Sequence, residues 1–434
     1  MRVLLFIIAT FLFLDILPAQ DISAPVSLKN FVNQSFQQYP RVGEMKELVR
    51  MGEVKVTLGK AGYLPVAGGD LSYHRQYPTP SIQFPTGQGE FQDVKFQPAN
   101  SYNASVNFVQ PLLDLRTPAT VNKSKSDLET CKDNLESFKI QLAYQVAQVY
   151  YSIIFLNKSL VVQQEQINLL KSTLDQIGVK VKSGDALTYD LVSTQVKYTN
   201  AENFYTDLAT QLNKQYNMLG MLTGRGGTAY LADTVVSQAT FITSADSIIS
   251  IALRNNPELR IADDKIKSAR WDIVSANRNR LPVMNFVAGA GIKNGFMPEI
   301  DVATFNYFLG VGVSIPILSS SRPGIQKQLA LINVSASKLA FESQKVSLNK
   351  DLLNTLDDVQ KNLRKLESAD TLIRQAQLAM DLAGDRYKYG VITNLDLLSS
   401  LANYKDAKLS RLQSEYNLLL SRMELCRLAG IRWW

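Results

Sequence analysis

The sequence predicts a mainly α-helical protein with a small membrane β part: tandem-duplicated long coiled-coil hairpins plus four β-strands per chain. The first observation behind this is a pair of apolar rows. Leu128, Leu135, Leu142, Val149 and Leu156 recur every seven residues, and Val146, Ile153, Leu160, Ile167, Leu174 and Val181 form a second row offset by four. Such rows are the seam of a left-handed coiled coil, so residues 117–183 read as one helix of roughly 100 Å at 1.5 Å per residue. The second observation is a copy. Adding 206 carries the second row onto Leu352, Val359, Leu366, Ile373, Met380 and Tyr387, Gly184 onto Gly390, and Asp190-Leu191 onto Asp396-Leu397. The third is a change to period two in four segments, two ahead of each long helix.

In chain order, residues 1–20 run from Arg2 through an apolar stretch to Ala19-Gln20, the pattern of a secretory signal. Residues 21–63 hold two modest helices, from the spacing of Leu28, Phe31, Val32 and Phe36, separated at Tyr39-Pro40 and ended before Pro65. Residues 64–112 hold the first strand pair. There Tyr102, Ala104, Val106 and Phe108 alternate with Ser101, Asn103, Ser105 and Asn107, and the weaker partner spans 66–73 across a Pro/Gln/Gly-rich loop at 76–100. Residues 113–223 are the first long hairpin, reversing near Gly184-Asp185 and returning from 187 to 222. Residues 224–245 read as an equatorial linker. The second copy repeats the order: helices at 246–281 around Pro257, strands at 282–318 with Tyr307, Leu309, Val311, Val313 and Ile315 on one face, and a hairpin at 319–434 reversing near Gly390. Each returning helix is about half the outgoing length, so an opening helix could stack end to end with it.

Composition removes several function classes. The formal charge of +7 is interleaved along the helices and forms no block, so the basic residues read as solvated surface and nucleic acid is not expected as a partner. Cys131 and Cys426 lie on different hairpins, far apart from any reversal, and should not bond within the chain. His74 is the sole histidine and leaves no metal cluster of the usual spacing. No nucleophile elbow, phosphate loop or dinucleotide fingerprint is present, so neither a cofactor nor an enzymatic activity is expected.

No segment after the first twenty residues is long and apolar enough to span a membrane as a helix, so any spanning falls to the strands. Four strands cannot close a barrel, and an open edge does not survive in lipid, so a membrane reading requires several chains to share one barrel. The alternatives are a soluble four-stranded sheet packed on a core, or a secreted coiled-coil structural or adaptor protein without a pore. Tyr73, Tyr102 and Tyr307 fit an interfacial aromatic belt as well as plain strand packing.

Two local patterns add to this: Val109-Gln110-Pro111-Leu112 at the strand-to-helix turn, and Tyr387-x-x-Gly390-x-x-Thr393-x-Leu395-Asp396-Leu397-Leu398 at the second reversal, echoed by Gly184-Asp185-Ala186-Leu187-Thr188-Tyr189-Asp190-Leu191. With the two tandem halves, these resemble the TolC-like outer-membrane efflux proteins across essentially the whole mature chain. The resemblance implies a homotrimer, with a shared barrel in outer-membrane lipid and a helical tunnel in the periplasm. It also implies docking of a periplasmic adaptor protein and an inner-membrane pump at the hairpin tips, here Gly184, Asp185, Gly390 and Thr393. Transported molecules would leave passively through the lumen, in efflux or type I secretion. The resemblance further implies a periplasmic gate at Asp190, Asp396, Ser399 and Tyr387. Family members carry an acid where Asp396 stands and a second three residues on, where this chain has Ser399. They also link inner and outer hairpins, for which Tyr387 and Asp190 match as a hydrogen-bonding pair, while the gate arginine position is Ile392. The competing reading of both aspartates is that of ordinary acids at helix N-termini, favoured by the dipole.

Overall fold

The computed structural model describes residues 27–85, 87, 89, 91–224, 244–316 and 322–434. The expected signal at 1–20, nearly all of the 224–245 linker and the turn after Pro316 fall outside these residues. The first copy comprises α1 (Leu28–Gln38), α2 (Pro40–Ala61), β1 (Val66–Arg75), β2 (Ser81–Pro85), β3 (Phe91–Lys95), β4 (Asn100–Leu113), α3 (Thr117–Ser183) and α4 (Thr188–Thr223). The second comprises α5 (Ala245–Asn255), α6 (Pro257–Arg278), β5 (Val283–Lys293), β6 (Thr304–Ser314), α7 (Arg322–Lys388) and α8 (Asn394–Ala429).

The duplication holds in element length. The long helices α3 and α7 are both 67 residues, the returning helices α4 and α8 both 36, α2 and α6 both 22, and α1 and α5 both 11. Pro40 and Pro257 open α2 and α6, where a missing N–H costs nothing. The insertion that distinguishes the copies is the β2–β3 hairpin, in the stretch expected to be a loop. Its two strands are five residues each, too short and too rich in proline and glutamine for alternation to register.

Compact units cut across the copies. One unit is Met45–Asn134 with Glu258–Gln344; the other is Met1–Glu44, Leu135–Pro257 and Lys345–Trp434. Each is assembled from matching parts of both halves, as expected when a repeat cannot bury its apolar face alone.

The first unit holds the four-stranded antiparallel sheet, in the order β1-β4-β5-β6. Its register fixes the faces. Leu71, Ala104, Ile292 and Phe305 lie in one cross-strand row, Gly69, Val106, Ala290 and Tyr307 in the next, and Ala67, Phe108, Ala288 and Leu309 in the third. Side chains paired across antiparallel strands share a face, so the three rows form one continuous, mostly apolar surface. The opposite face carries Asp70, Asn103, Ser105, Asn107, Lys293 and Asn306, with Asn107 hydrogen-bonded to Asp70. On that face Phe308 folds over Gly289, where a Cβ would stand 2.3 Å from the ring, so the bare backbone is covered by an aromatic from the adjacent strand. On the apolar face Tyr73 stands opposite Tyr102 with ring centroids 5.3 Å apart. Tyr307 shares the face but lies in register with Val106, away from that pair.

In the second unit the heptad residues become core. Leu142, Val146, Val149, Tyr150 and Ile153 of α3 pack with Phe31 and Val32 of α1, Leu219 and Leu222 of α4, and Met423 of α8. A second cluster joins Ile167, Leu170 and Ile177 to Ala383, Tyr387, Leu397, Leu398 and Leu401. The returning helices end at the junctions of the opening ones. A Cβ on Gly224, just past α4, would touch Gln38, and Asn256, between α5 and α6, donates through its amide to the Leu428 carbonyl at 2.8 Å. These are the junctions at which end-to-end stacking is expected. Cys131 and Cys426 are free.

Candidate functional site

The two reversals are built alike. At the first, the Gly184 N–H donates to the Val181 carbonyl and the Asp185 N–H to the Lys180 carbonyl; at the second, Gly390 donates to Tyr387 and Val391 to Arg386. This is the glycine-terminated helix stop in which the residue after the glycine reaches back five positions. Both glycines adopt positive φ, +84° and +69°, with open space around them. Conformation, not crowding, therefore requires glycine. At the first turn Ser183 Oγ donates to Asp185 Oδ2 at 2.7 Å.

The returning helices begin differently. The α4 N-cap is Leu187, which offers no side-chain acceptor. The α8 N-cap is Thr393, whose hydroxyl accepts from the Asp396 N–H at 3.2 Å, while the Asp396 carboxylate accepts from the Thr393 N–H at 3.0 Å and hydroxyl at 2.7 Å. That reciprocal pair is a capping box. Hydrogen bonds from Thr393 hold the Asp396 carboxyl below the usual carboxylate range. Asp396 thus closes a helix end and still presents an exposed negative charge, with Ser399 exposed one turn along.

The expected Tyr387–Asp190 hydrogen bond is not formed among the described residues. Tyr387 is 8 % exposed, inside the apolar cluster, so its ring serves as core. Burial first, and then the charge of Asp190, push its hydroxyl pKa up. The Lys180 ammonium sits 4.5 Å from the ring centroid. Tyr387 and Asp190 are therefore neighbours in electrostatic reach and not a hydrogen-bonded link.

Residues without a sequence signal make the link instead. Asn394, the first residue of α8, is 3 % exposed and Thr194 of α4 is fully buried. The Asn394 amide nitrogen donates to Thr194 Oγ1 at 3.0 Å, to the Asp190 carbonyl at 3.2 Å and to Ser193 Oγ at 3.4 Å. Thr194 and Ser193 also donate to that carbonyl, at 2.8 Å and 3.0 Å. A polar residue after a threonine N-cap reads as an ordinary helix start. Nothing in the repeat flags it, since the first copy has Thr188 there. Gly184, Asp185, Gly390 and Thr393 all lie exposed at the turns. Among the described residues no group of His, Cys, Asp and Glu side chains could hold a metal ion.

Comparison with known proteins bears on the family and the fold. Residues 248–431 match the family model described as outer membrane efflux protein. The outer membrane efflux protein BepC of Brucella suis biovar 1 (strain 1330) is 20 % identical over 395 residues, covering 88 % of this chain and 80 % of that protein. The proteases secretion protein PrtF of Dickeya chrysanthemi is 18 % identical over 391 residues, covering 87 % and 82 %. Among solved structures, CusC superposes with a TM-score of 0.78 at 15 % identity, covering 93 % of this chain and 92 % of that one. The outer membrane protein VceC of Vibrio cholerae does so with 0.78 at 13 % identity, covering 94 % and 97 %. In sequence over its second half and in fold over nearly its whole length, the chain is similar to the TolC-like outer membrane efflux proteins, as its residues alone imply.

Proposed function

We propose that this chain is the outer-membrane exit duct of an export system, conducting molecules passively from the periplasm to the exterior. The observation that carries the reading is the sheet. Its strands are 10, 14, 11 and 11 residues long, its register gathers the apolar rows on one face, and β1 and β6 are each left with an unpaired edge. A bilayer is spanned by strands of about 9–11 residues with apolar side chains outward and polar ones inward. No helix among the described residues is long and apolar enough to cross a membrane. Free edges in lipid must pair, and pairing β1 of one chain with β6 of the next closes a barrel.

The helices support the same assembly. On α7, Ile325, Ile332, Leu339, Val346 and Leu353 recur every seven residues and are 41–69 % exposed in the single chain. A heptad row without a partner is a coiled-coil seam awaiting a second helix. Three copies supply twelve strands and a ring of helices, the homotrimer that the resemblance implies. The exposed turns at Gly184-Asp185 and Gly390 to Thr393 are the proposed docking points for a periplasmic adaptor and inner-membrane pump. Asp190 and Asp396, each present three times, form the proposed acidic entrance, where rings of carboxylate favour cations. A stalk without a pore has no use for four amphipathic strands of membrane length.

The test is direct. The purified full chain should come from the outer-membrane fraction as a heat-modifiable trimer and give single channels in planar bilayers. A soluble monomer without conductance rejects the duct.

A further inference from the structure

We propose that Lys293 and His74 set the charge preference of the outer end of the duct, His74 turning it from charge-balanced to anion-favouring when protonated; the inference rests on the duct reading above. The argument starts from the face of the sheet that lipid does not take. Cross-strand pairs share a face, and so do residues two apart along a strand. On the polar face, Asp70 lies in the row of Ser105, Gly291 and Asn306, while Ser72, Asn103, Lys293 and Thr304 form the next row outward. His74 stands opposite Ser101 in the row after that. Because β1 runs from α2 toward the β2–β3 hairpin, these rows approach the end of the sheet remote from the helices.

Charge on this face is sparse. Among the described residues of the four strands it carries one acid, Asp70, one lysine, Lys293, and the chain's sole histidine. Asp70 accepts a hydrogen bond from the Asn107 amide, and the Lys293 ammonium lies 5.1 Å from the Phe296 ring centroid. Acid and lysine cancel, so the imidazole decides the sign. Arg75 falls on the opposite face, and Asp93, Lys95, Glu299 and Asp301 lie beyond these strands, in β3 and in the β5–β6 turn. Histidine is the side chain whose charge ordinarily changes between about pH 5 and 8. Three copies therefore add three positive charges to the exit as the surroundings acidify, and the class of cargo this favours is anionic.

Twelve strands about 4.8 Å apart, tilted by about 40°, enclose a backbone radius of about 12 Å, which leaves inward side chains about 10 Å from the axis. That is one Debye length at about 0.1 M salt, and several at about 1 M. Three unit charges so placed should raise the anion-to-cation permeability ratio about three- to fivefold at the lower salt and hardly at the higher.

The test is the reversal potential of the full chain in planar bilayers under a salt gradient, at about pH 8 and about pH 5.5, on either side of the ordinary histidine range. The parent ratio should rise by that factor on acidification. His74→Gln should abolish the rise, and His74→Arg should give the acid ratio at both pH values. Lys293→Gln should lower the ratio at both and keep the rise. The acids at the hairpin tips are common to all four proteins, so differences between them report on the exit. A parent ratio indifferent to pH, a His74→Gln channel that responds as the parent does, or a Lys293→Gln channel with the parental ratio overturns the inference and leaves the duct standing. A chain that gives no channels at all overturns the duct reading and the inference with it.

Discussion

Replacing Leu339 by aspartate should dissolve the proposed trimer while leaving each chain folded. Leu339 is 69 % exposed in the single chain, at the centre of the α7 heptad row. Burying a whole leucine side chain is worth about 1.5–3 kcal/mol, so the two-thirds still exposed offers about 1–2 kcal/mol at each subunit contact, or about 3–6 kcal/mol over the three contacts of a trimer. The aspartate adds the cost of placing a carboxylate in an apolar seam, which moves the balance further the same way. A solitary exposed leucine would carry no such weight, but five at seven-residue spacing form a seam. The assay is migration of unheated and heated samples, with the mass of the detergent-solubilised particle and far-ultraviolet circular dichroism for helix content. Leu339→Asp should run as a monomer of parental helicity under conditions that keep the parent trimeric, and Leu339→Met should remain trimeric. A Leu339→Asp trimer with the parental dissociation temperature would show that this row faces solvent, and the helical part of the assembly argument would fall with it.

Replacing Asp396 by asparagine should weaken block of the channel by multivalent cations, measured as the blocking concentration in bilayers; unchanged block removes Asp396 from the proposed entrance. Because hydrogen bonds from Thr393 lower the Asp396 pKa, its capping contribution is complete above the ordinary value of 3.8 and is lost as pH falls through the lower folded value. The Asp396 share of the block should therefore hold from neutral to mildly acidic pH and weaken only below 3.8. Gly430→Ala places a Cβ 2.5 Å from the Asn255 carbonyl oxygen at a φ of +66°, so it should destabilise the fold by more than about 1 kcal/mol, seen as a lower thermal midpoint. Burial pushes the Cys426 thiol up to about 11, so alkylation at pH 8 should spare it in the folded chain and reach it after denaturation, read by mass spectrometry. Rapid native labelling of Cys426 would show that the end of α8 opens.

Which features a sequence can announce follows from how each is encoded. The long helices were legible because a seam repeats: Leu142, Val146 and Ile153 occupy positions that recur through both copies and become core in the structure. The strands were legible by alternation, which the register then gathers onto a single face. The β2–β3 hairpin was not, since five residues beside proline carry too little period to separate strand from loop. At the tips, the glycines and Asp396 follow turn and capping chemistry that is local, and local chemistry can be read. The bond expected from Tyr387 was a matter of two distant segments, and burial of that ring decided against it. Asn394 is the reverse case. Its bonds span about two hundred residues to reach Thr194, and no periodicity, cap or repeat marks either end of them. The departure of Asn394 from its copy, Thr188, is no signal either, since most equivalent positions of the two halves differ.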